Sequence, residues 1–177
     1  QGRLSEAYNS LHVMNPAGDI TATYEKAHLV PFGESLPFRG LLSLIGLRKL
    51  TDGSVDFSTG AGPETIALDG LPAFSPFNCY EVIFPDQVVS VEGPRPTWLL
   101  NITNDAWFGS SIGPWQHLAM ARMRAIEQGL PLVRVAGTGI SAKINAVGGI
   151  EGYVPINHKG NFDFALDTLK NRTINTL

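Results

Sequence analysis

The chain has 177 residues, 44% hydrophobic and 16% charged, with a net charge of -3 and a pI near 5.8. It lacks the basic excess of a general nucleic-acid binder, and its one cysteine excludes an internal disulfide. No run reaches the roughly eighteen apolar residues that span a bilayer and no secretory pattern opens the chain, while the start at Gln1 without a methionine reads as that of a fragment.

The length suits one domain. Tyr8 to Met14 has strand character, and the turn residues 15–19 lead into the β-prone Ile20 to Tyr24, which predicts a hairpin. Its second strand delivers Glu25-Lys26-Ala27-His28-Leu29-Val30-Pro31-Phe32-Gly33-Glu34, where Pro31 and Gly33 force a loop beside charged groups. From Leu36 to Leu50 the apolar residues Phe38, Leu41, Leu42 and Ile45 recur at helical spacing between basic ends. Such a segment suits either a core helix or an amphipathic lid on a membrane surface. Residues 51–63 read as a mobile loop. Glu64 to Leu68, the turn Asp69-Gly70 and Pro72 to Asn78 predict a second hairpin.

Thr97 to Thr103 is a predicted buried strand, and a helix is expected from Pro114 to Gln128, with a stripe of Leu118, Ala121, Met123 and Ile126 and a stop at Gly129. Pro131 to Ala136 reads as a further buried strand, 141–147 and 150–156 as a third hairpin, and Phe162 to Leu166 as a last strand. Hairpins dominate this pattern, so an α/β layered domain is expected rather than a doubly wound nucleotide fold. No Gly-rich phosphate motif is present.

Cys79 lies where the strand 72–78 gives way to Val82-Ile83-Phe84, which could begin a helix. A thiol at a strand-to-helix junction is near free N–H groups that favour its thiolate, which suits a nucleophile. A small buried hydrophobe is the alternative. A nucleophilic cysteine needs an activating partner and an oxyanion donor, and Lys26, Glu34 and Glu81 are the acid-base candidates at strand ends. The four histidines lie too far apart in sequence to indicate a metal site, and no cofactor is expected.

The blocks Tyr24 to Glu34, Cys79-Tyr80-Glu81, Asn104-Asp105-Ala106-Trp107-Phe108-Gly109, Gly113-Pro114-Trp115-Gln116-His117 and Met120 to Ala125 resemble the bacterial apolipoprotein N-acyltransferase family. Its catalytic part belongs to the nitrilase, or carbon-nitrogen hydrolase, superfamily. The resemblance runs from about Tyr8 to about Ile156. It implies a nitrilase-like α-β-β-α sandwich, here lacking its N-terminal part, over residues 1–177, with the family's membrane-spanning domain outside this chain. It also implies a Glu-Lys-Cys triad in which Cys79 matches the nucleophile and Lys26 the lysine. Glu34 and Glu81 match supporting acids, Tyr80 follows the nucleophile, and Trp107 matches an aromatic at the acyl pocket. The triad glutamate stands upstream of the lysine in the family and no residue here is assigned to it, Glu6 included.

The implied chemistry is transfer of an acyl chain from a phospholipid, through a Cys79 thioester, to the N-terminal amine of an apolipoprotein. The implied setting is the surface of the bacterial inner membrane on its periplasmic side. Two other readings stay open: a soluble nitrilase-type amidase with water as acceptor, and a truncated domain that binds lipid or a partner without turnover. Trp107 and Trp115 also fit core aromatics, Arg122 and Arg124 a solvated helix face, and His117 a capping or packing role. None of the last three is assigned to catalysis.

Overall fold

The computed structural model describes residues 6–35 and 57–166. The predicted segment Leu36 to Leu50 and the start of the loop after it lie outside them. Two compact units divide the chain at Gly62 and Pro63.

In the first unit, β1 (Ser10–Met14) and β2 (Ile20–Glu25) form the expected antiparallel hairpin. The Asn15 side chain closes its turn, accepting from the N–H groups of Ala17 and Asp19, each at 2.9 Å. Tyr24 is buried on β2, and the chain leaves the strand at Lys26 with its backbone held from both sides. Lys26 N–H donates to Asn9 O, and Gly60 N–H donates to Lys26 O, both at 2.9 Å.

The second unit is built on a six-stranded sheet in the order β3-β4-β5-β6-β7-β8. Its strands are β3 (Ile66–Leu68), β4 (Leu71–Asn78), β5 (Trp98–Thr103), β6 (Leu132–Ala136), β7 (Ser141–Ile144) and β8 (Ile150–Val154). The outer pairs are the predicted antiparallel hairpins, but the centre differs from the expectation of mainly local pairing. There β4, β5 and β6 run parallel. Apolar runs without helical periodicity hid this, because a parallel strand and a hairpin strand read alike when both are buried. Pro76 is tolerated inside β4 because β3 is short: its pairings end at Ile66 with Phe74, so no ladder partner faces the missing N–H.

Helix α1 (Gly113–Gln128) packs on this sheet. Pro114 occupies its first turn, and Gly129 ends it in the left-handed conformation, φ 59°. Leu130 N–H then returns to Ala125 O at 3.1 Å and buries its own side chain. The core joins Phe77, Leu99, Leu132 and Ile144 of the sheet to Leu118, Ala121 and Ala125 of the helix. The small alanines let the helix backbone approach the strands.

Two expectations fail here. Met123 and Ile126 are about half exposed, so the buried face runs instead through His117, Leu118, Ala121, Arg124 and Ala125. Helical spacing alone placed the stripe too far round, since two polar residues on the inward side broke the apolar pattern. Phe162 to Leu166 forms no strand, and Phe162 and Phe164 pair their rings at 5.4 Å instead. No helix among the described residues is long and apolar enough to cross a membrane.

Candidate active site

In the first unit, Lys26 and Glu34 are brought together. Lys26 is buried, and its Nζ donates to Glu34 Oε2 at 2.7 Å. The same oxygen accepts from Val30 N–H at 2.8 Å, and Oε1 accepts from Asn9 Nδ2 at 2.6 Å. The loop that returns Glu34 to the lysine is as tight as Pro31 and Gly33 suggested. Its left-handed residue, however, is Phe32 at φ 62°, not Gly33. Burial pushes the Glu34 carboxyl up, but the hydrogen bonds from Lys26 and Val30, the lysine's charge and the Asn9 amide together hold it below its ordinary value. Glu34 therefore faces the lysine as a carboxylate.

In the second unit, Cys79, Tyr80 and Glu81 share a single 3₁₀ turn, Cys79–Ile83, at the carboxyl end of β4. The helix begins at the cysteine itself, earlier than the apolar residues 82–84 suggested. Cys79 is half-buried with φ 52°, so its backbone is left-handed, which is rare for a residue with a β-carbon. Glu81 is buried beneath it, and its carboxylate accepts from Asn78 N–H at 2.6 Å. Tyr80 sets its ring edge-on to Phe84 at 5.2 Å.

Beneath this turn lies a group of buried polar residues for which the sequence reading assigned no role. The register aligns Phe77, Asn101 and Arg134 across the three parallel strands. Asn101 Nδ2 donates to Phe77 O at 3.3 Å, and Arg134 donates to Asn101 Oδ1. Arg134 Nη2 also donates to Asp105 Oδ2 at 2.8 Å, and Thr103 Oγ1 to Asp105 Oδ1 at 3.1 Å. His117 Nδ1 lies 2.8 Å from Asp105 Oδ1 and 3.1 Å from Arg134 Nη2. Its Nε2 reaches the carbonyl oxygen of Cys79 at 3.2 Å.

Burial pushes the Asp105 carboxyl up, yet the hydrogen bond from His117 and the charge of Arg134 hold it below its ordinary value. Burial lowers the Arg134 pKa, against the pull of Asp105 and of Cys79. The signal for this cluster was present in the sequence: Asn101 and Arg134 fall in phase with the buried Leu99 and Leu132, and a polar residue at an inward strand position needs a partner.

Trp107 and Trp115 are 64% and 50% exposed, so neither is a core aromatic. Arg124 is buried, with Nη2 on Glu127 at 2.6 Å, and Arg122 Nε donates to Gly148 O at 2.7 Å, so neither is simply solvated. His117 is buried and bonded rather than a cap. A groove of about 490 Å³ lined by Trp115, Leu118, Ile140, Ile150 and Tyr153 includes none of Cys79, Tyr80 or Trp107. Among the described residues, no three His, Cys, Asp or Glu side chains converge as metal ligands.

Chemically, the second unit presents a thiol at the carboxyl end of parallel strands, where open α/β sheets commonly place their ligands. The same fold recurs in known proteins. The structure is similar to a CN-hydrolase superfamily protein from Xanthomonas campestris, with a TM-score of 0.54 and 19% identity over 89% of this chain and 57% of that one. It is also similar to an amidase from Nesterenkonia sp. AN1, with a TM-score of 0.57 and 18% identity over 84% and 53%. At these identities the likeness is one of fold.

In sequence the chain is 48% identical over 164 residues to an apolipoprotein N-acyltransferase of Rhodopseudomonas palustris, and 46% over 163 residues to that of Bradyrhizobium diazoefficiens. These alignments cover 93% and 92% of the chain but only 30% of each relative, so the chain spans about a third of the length of the curated relatives it matches. The α/β nitrilase-like fold implied by the residue blocks is thereby shown. The carbon-nitrogen hydrolase profile matches residues 1–165, and the chain belongs to that family.

Proposed function

We propose that this chain carries the acyl-transfer chemistry of an apolipoprotein N-acyltransferase. The observation that supports it most is the 48% identity to such an enzyme over nearly the whole chain, combined with a lone cysteine displayed on a left-handed turn. Cys79 is the nucleophile. Its thiolate attacks an ester carbonyl of a phospholipid of the phosphatidylethanolamine type, the ester C–O bond breaks, and the lysophospholipid leaves with a proton. The α-amine of the lipid-modified N-terminal cysteine of an apolipoprotein then attacks the thioester. The C–S bond breaks, an amide forms, and the proton the amine gives up returns to the sulfur to regenerate the thiol, a two-step ping-pong route.

Lys26 and the backbone N–H of Tyr80 stabilise the oxyanion of each tetrahedral intermediate. Glu34 holds Lys26 in place, Glu81 holds the nucleophile's turn, and the exposed Trp107 meets the acyl chain. A base must take the thiol's proton; in the resembled family it is a glutamate upstream of the lysine. Both substrates carry acyl chains, so the reaction belongs at a membrane surface; in the resembled family this is the bacterial inner membrane, with the catalytic domain facing the periplasm.

The test is the intact mass of the full gene product incubated in detergent with phosphatidylethanolamine, beside Cys79→Ala. An acyl-sized adduct on the parent alone supports the reading. Hydrolysis of a simple amide with no adduct from the lipid turns it into the amidase reading, and neither activity in a folded protein leaves a binding domain.

A further inference from the structure

Cys79 occupies a left-handed conformation that strains an L-residue, and such conformations persist only where the surroundings over-determine them. Two contacts do so here. On the N-terminal side, the Glu81 carboxylate takes Asn78 N–H at 2.6 Å. On the C-terminal side, His117 Nε2 lies 3.2 Å from the Cys79 carbonyl oxygen. A carbonyl can only accept, so the ring donates to it through Nε2, as it donates through Nδ1 to the Asp105 carboxylate. The ring has little freedom to do otherwise: it is buried, Asp105 holds Nδ1 at 2.8 Å, and Phe108 lies against it at 5.4 Å. Asp105 is fixed in turn by Arg134 and Thr103.

The Cys79–Tyr80 peptide is trans, so its C=O and N–H point in opposite directions. Whatever pins the carbonyl also aims the N–H of Tyr80. We propose that His117 is a positioning residue for the nucleophile. By donating to the Cys79 carbonyl it fixes the peptide that follows the thiol, and so both displays Sγ and points Tyr80 N–H to the side where an oxyanion forms. This inference rests on the reading of Cys79 as the nucleophile, and it assigns to the buried Arg134–Asp105–His117 chain the task of orienting that peptide.

Two substitutions in the full gene product separate positioning from mere filling. His117→Gln sets an amide nitrogen near the place of Nε2 and keeps a donor for the Cys79 carbonyl. His117→Asn sets its amide near Nδ1, keeping the contact with Asp105 but losing the one with Cys79. Two rates are read for each: alkylation of Cys79 by iodoacetamide, and acyl-adduct formation from phosphatidylethanolamine.

The Gln variant is expected to stay within about tenfold of the parent in both. The Asn variant is expected to alkylate about tenfold more slowly and to lose about 10²–10³ in kcat for acylation at little-changed KM, the loss seen when an oxyanion donor is removed. Equal rates in the two variants, or retention by Asn and loss by Gln, overturn the proposal. If the Asn variant does not fold, a Gln variant slowed more than a hundredfold overturns it alone. A parent that forms no Cys79 adduct from the lipid defeats the acyltransferase reading, and the alkylation rates still decide the role of His117.

Discussion

Lys26 and Glu34 form a 2.7 Å ion pair in which the lysine is 1% exposed and the carboxylate 13% exposed. Glu34→Gln leaves the ammonium buried without its counter-charge, which is expected to lower stability by about 3–5 kcal/mol. Because the folded Glu34 pKa lies below its ordinary 4.5, its contribution is complete above about pH 4.5 and is lost as pH falls through the folded value. Asp105, held below its ordinary 3.8, acts in the same direction. Melting temperatures measured between pH 7 and pH 3 should therefore fall on the acid side in the parent, and fall less steeply in Glu34→Gln. Parallel acid limbs in the two proteins would show that Glu34 is not the titrating group.

A β-carbon on Gly139 would lie 2.0 Å from Asp105 Oδ2, although its backbone is not left-handed. Gly139→Ala is expected to push the carboxylate away from Arg134 and His117. The cost should exceed the roughly 1–3 kcal/mol of ordinary overpacking, because a buried ion pair is disturbed as well. Denaturant titration measures the first part, and the rate of Cys79 alkylation the second. An alanine variant with parental values of both would mean that Asp105 has room to move.

The positive φ of Cys79 gives an order of stabilities. Cys79→Gly relieves the β-carbon's strain, whereas Cys79→Ala keeps it, so the glycine variant should be the more stable by about 1 kcal/mol despite glycine's larger unfolded entropy. Both should be inactive in acyl transfer. Differential scanning calorimetry on the pair decides it, and a more stable alanine variant would contradict the left-handed assignment.

Trp107, 64% exposed on the short 3₁₀ helix Asp105–Phe108, has little packing to lose. Trp107→Ala should change stability by less than about 0.5 kcal/mol. If its ring meets the acyl chain, KM for phospholipid rises several-fold with little change in kcat. Unchanged kinetics in both parameters would remove Trp107 from the substrate site.

Much of this was legible in the sequence, for reasons that differ from element to element. The hairpins announced themselves through local turn chemistry, as at Asn15 to Asp19 and at Asp69-Gly70, where the residues that form the turn adjoin one another. The end of α1 was fixed by Gly129 for the same reason. The parallel pairings of β4, β5 and β6 have no such mark, since what joins Phe77 to Asn101 and Asn101 to Arg134 is register between distant segments. Among the candidate residues, Lys26 and Glu34 of the first unit and Cys79 and Glu81 of the second stood out through recognisable blocks. Arg134 was passed over because it interrupts an apolar strand by a single residue, and His117 because a helix-borne histidine has many ordinary uses. Only the folded structure, with the helix laid on the sheet, shows that the two meet at Asp105.

That register also bears on how the protein acquires its chemistry. The turn carrying Cys79 rests on pairings between residues 24 and 33 positions apart, from Phe77 to Asn101 and from Asn101 to Arg134. Contacts of this separation require loops to close before they return any stabilisation, so they form late compared with hairpins. Until all three strands are in register, Arg134 has no place beside Asp105, and the carbonyl of Cys79 has no donor. An intermediate with its hairpins formed would expose the thiol without orienting it. Orientation of the Cys79 turn thus coincides with completion of the sheet, and a chain caught earlier carries the thiol but not yet the geometry that holds it.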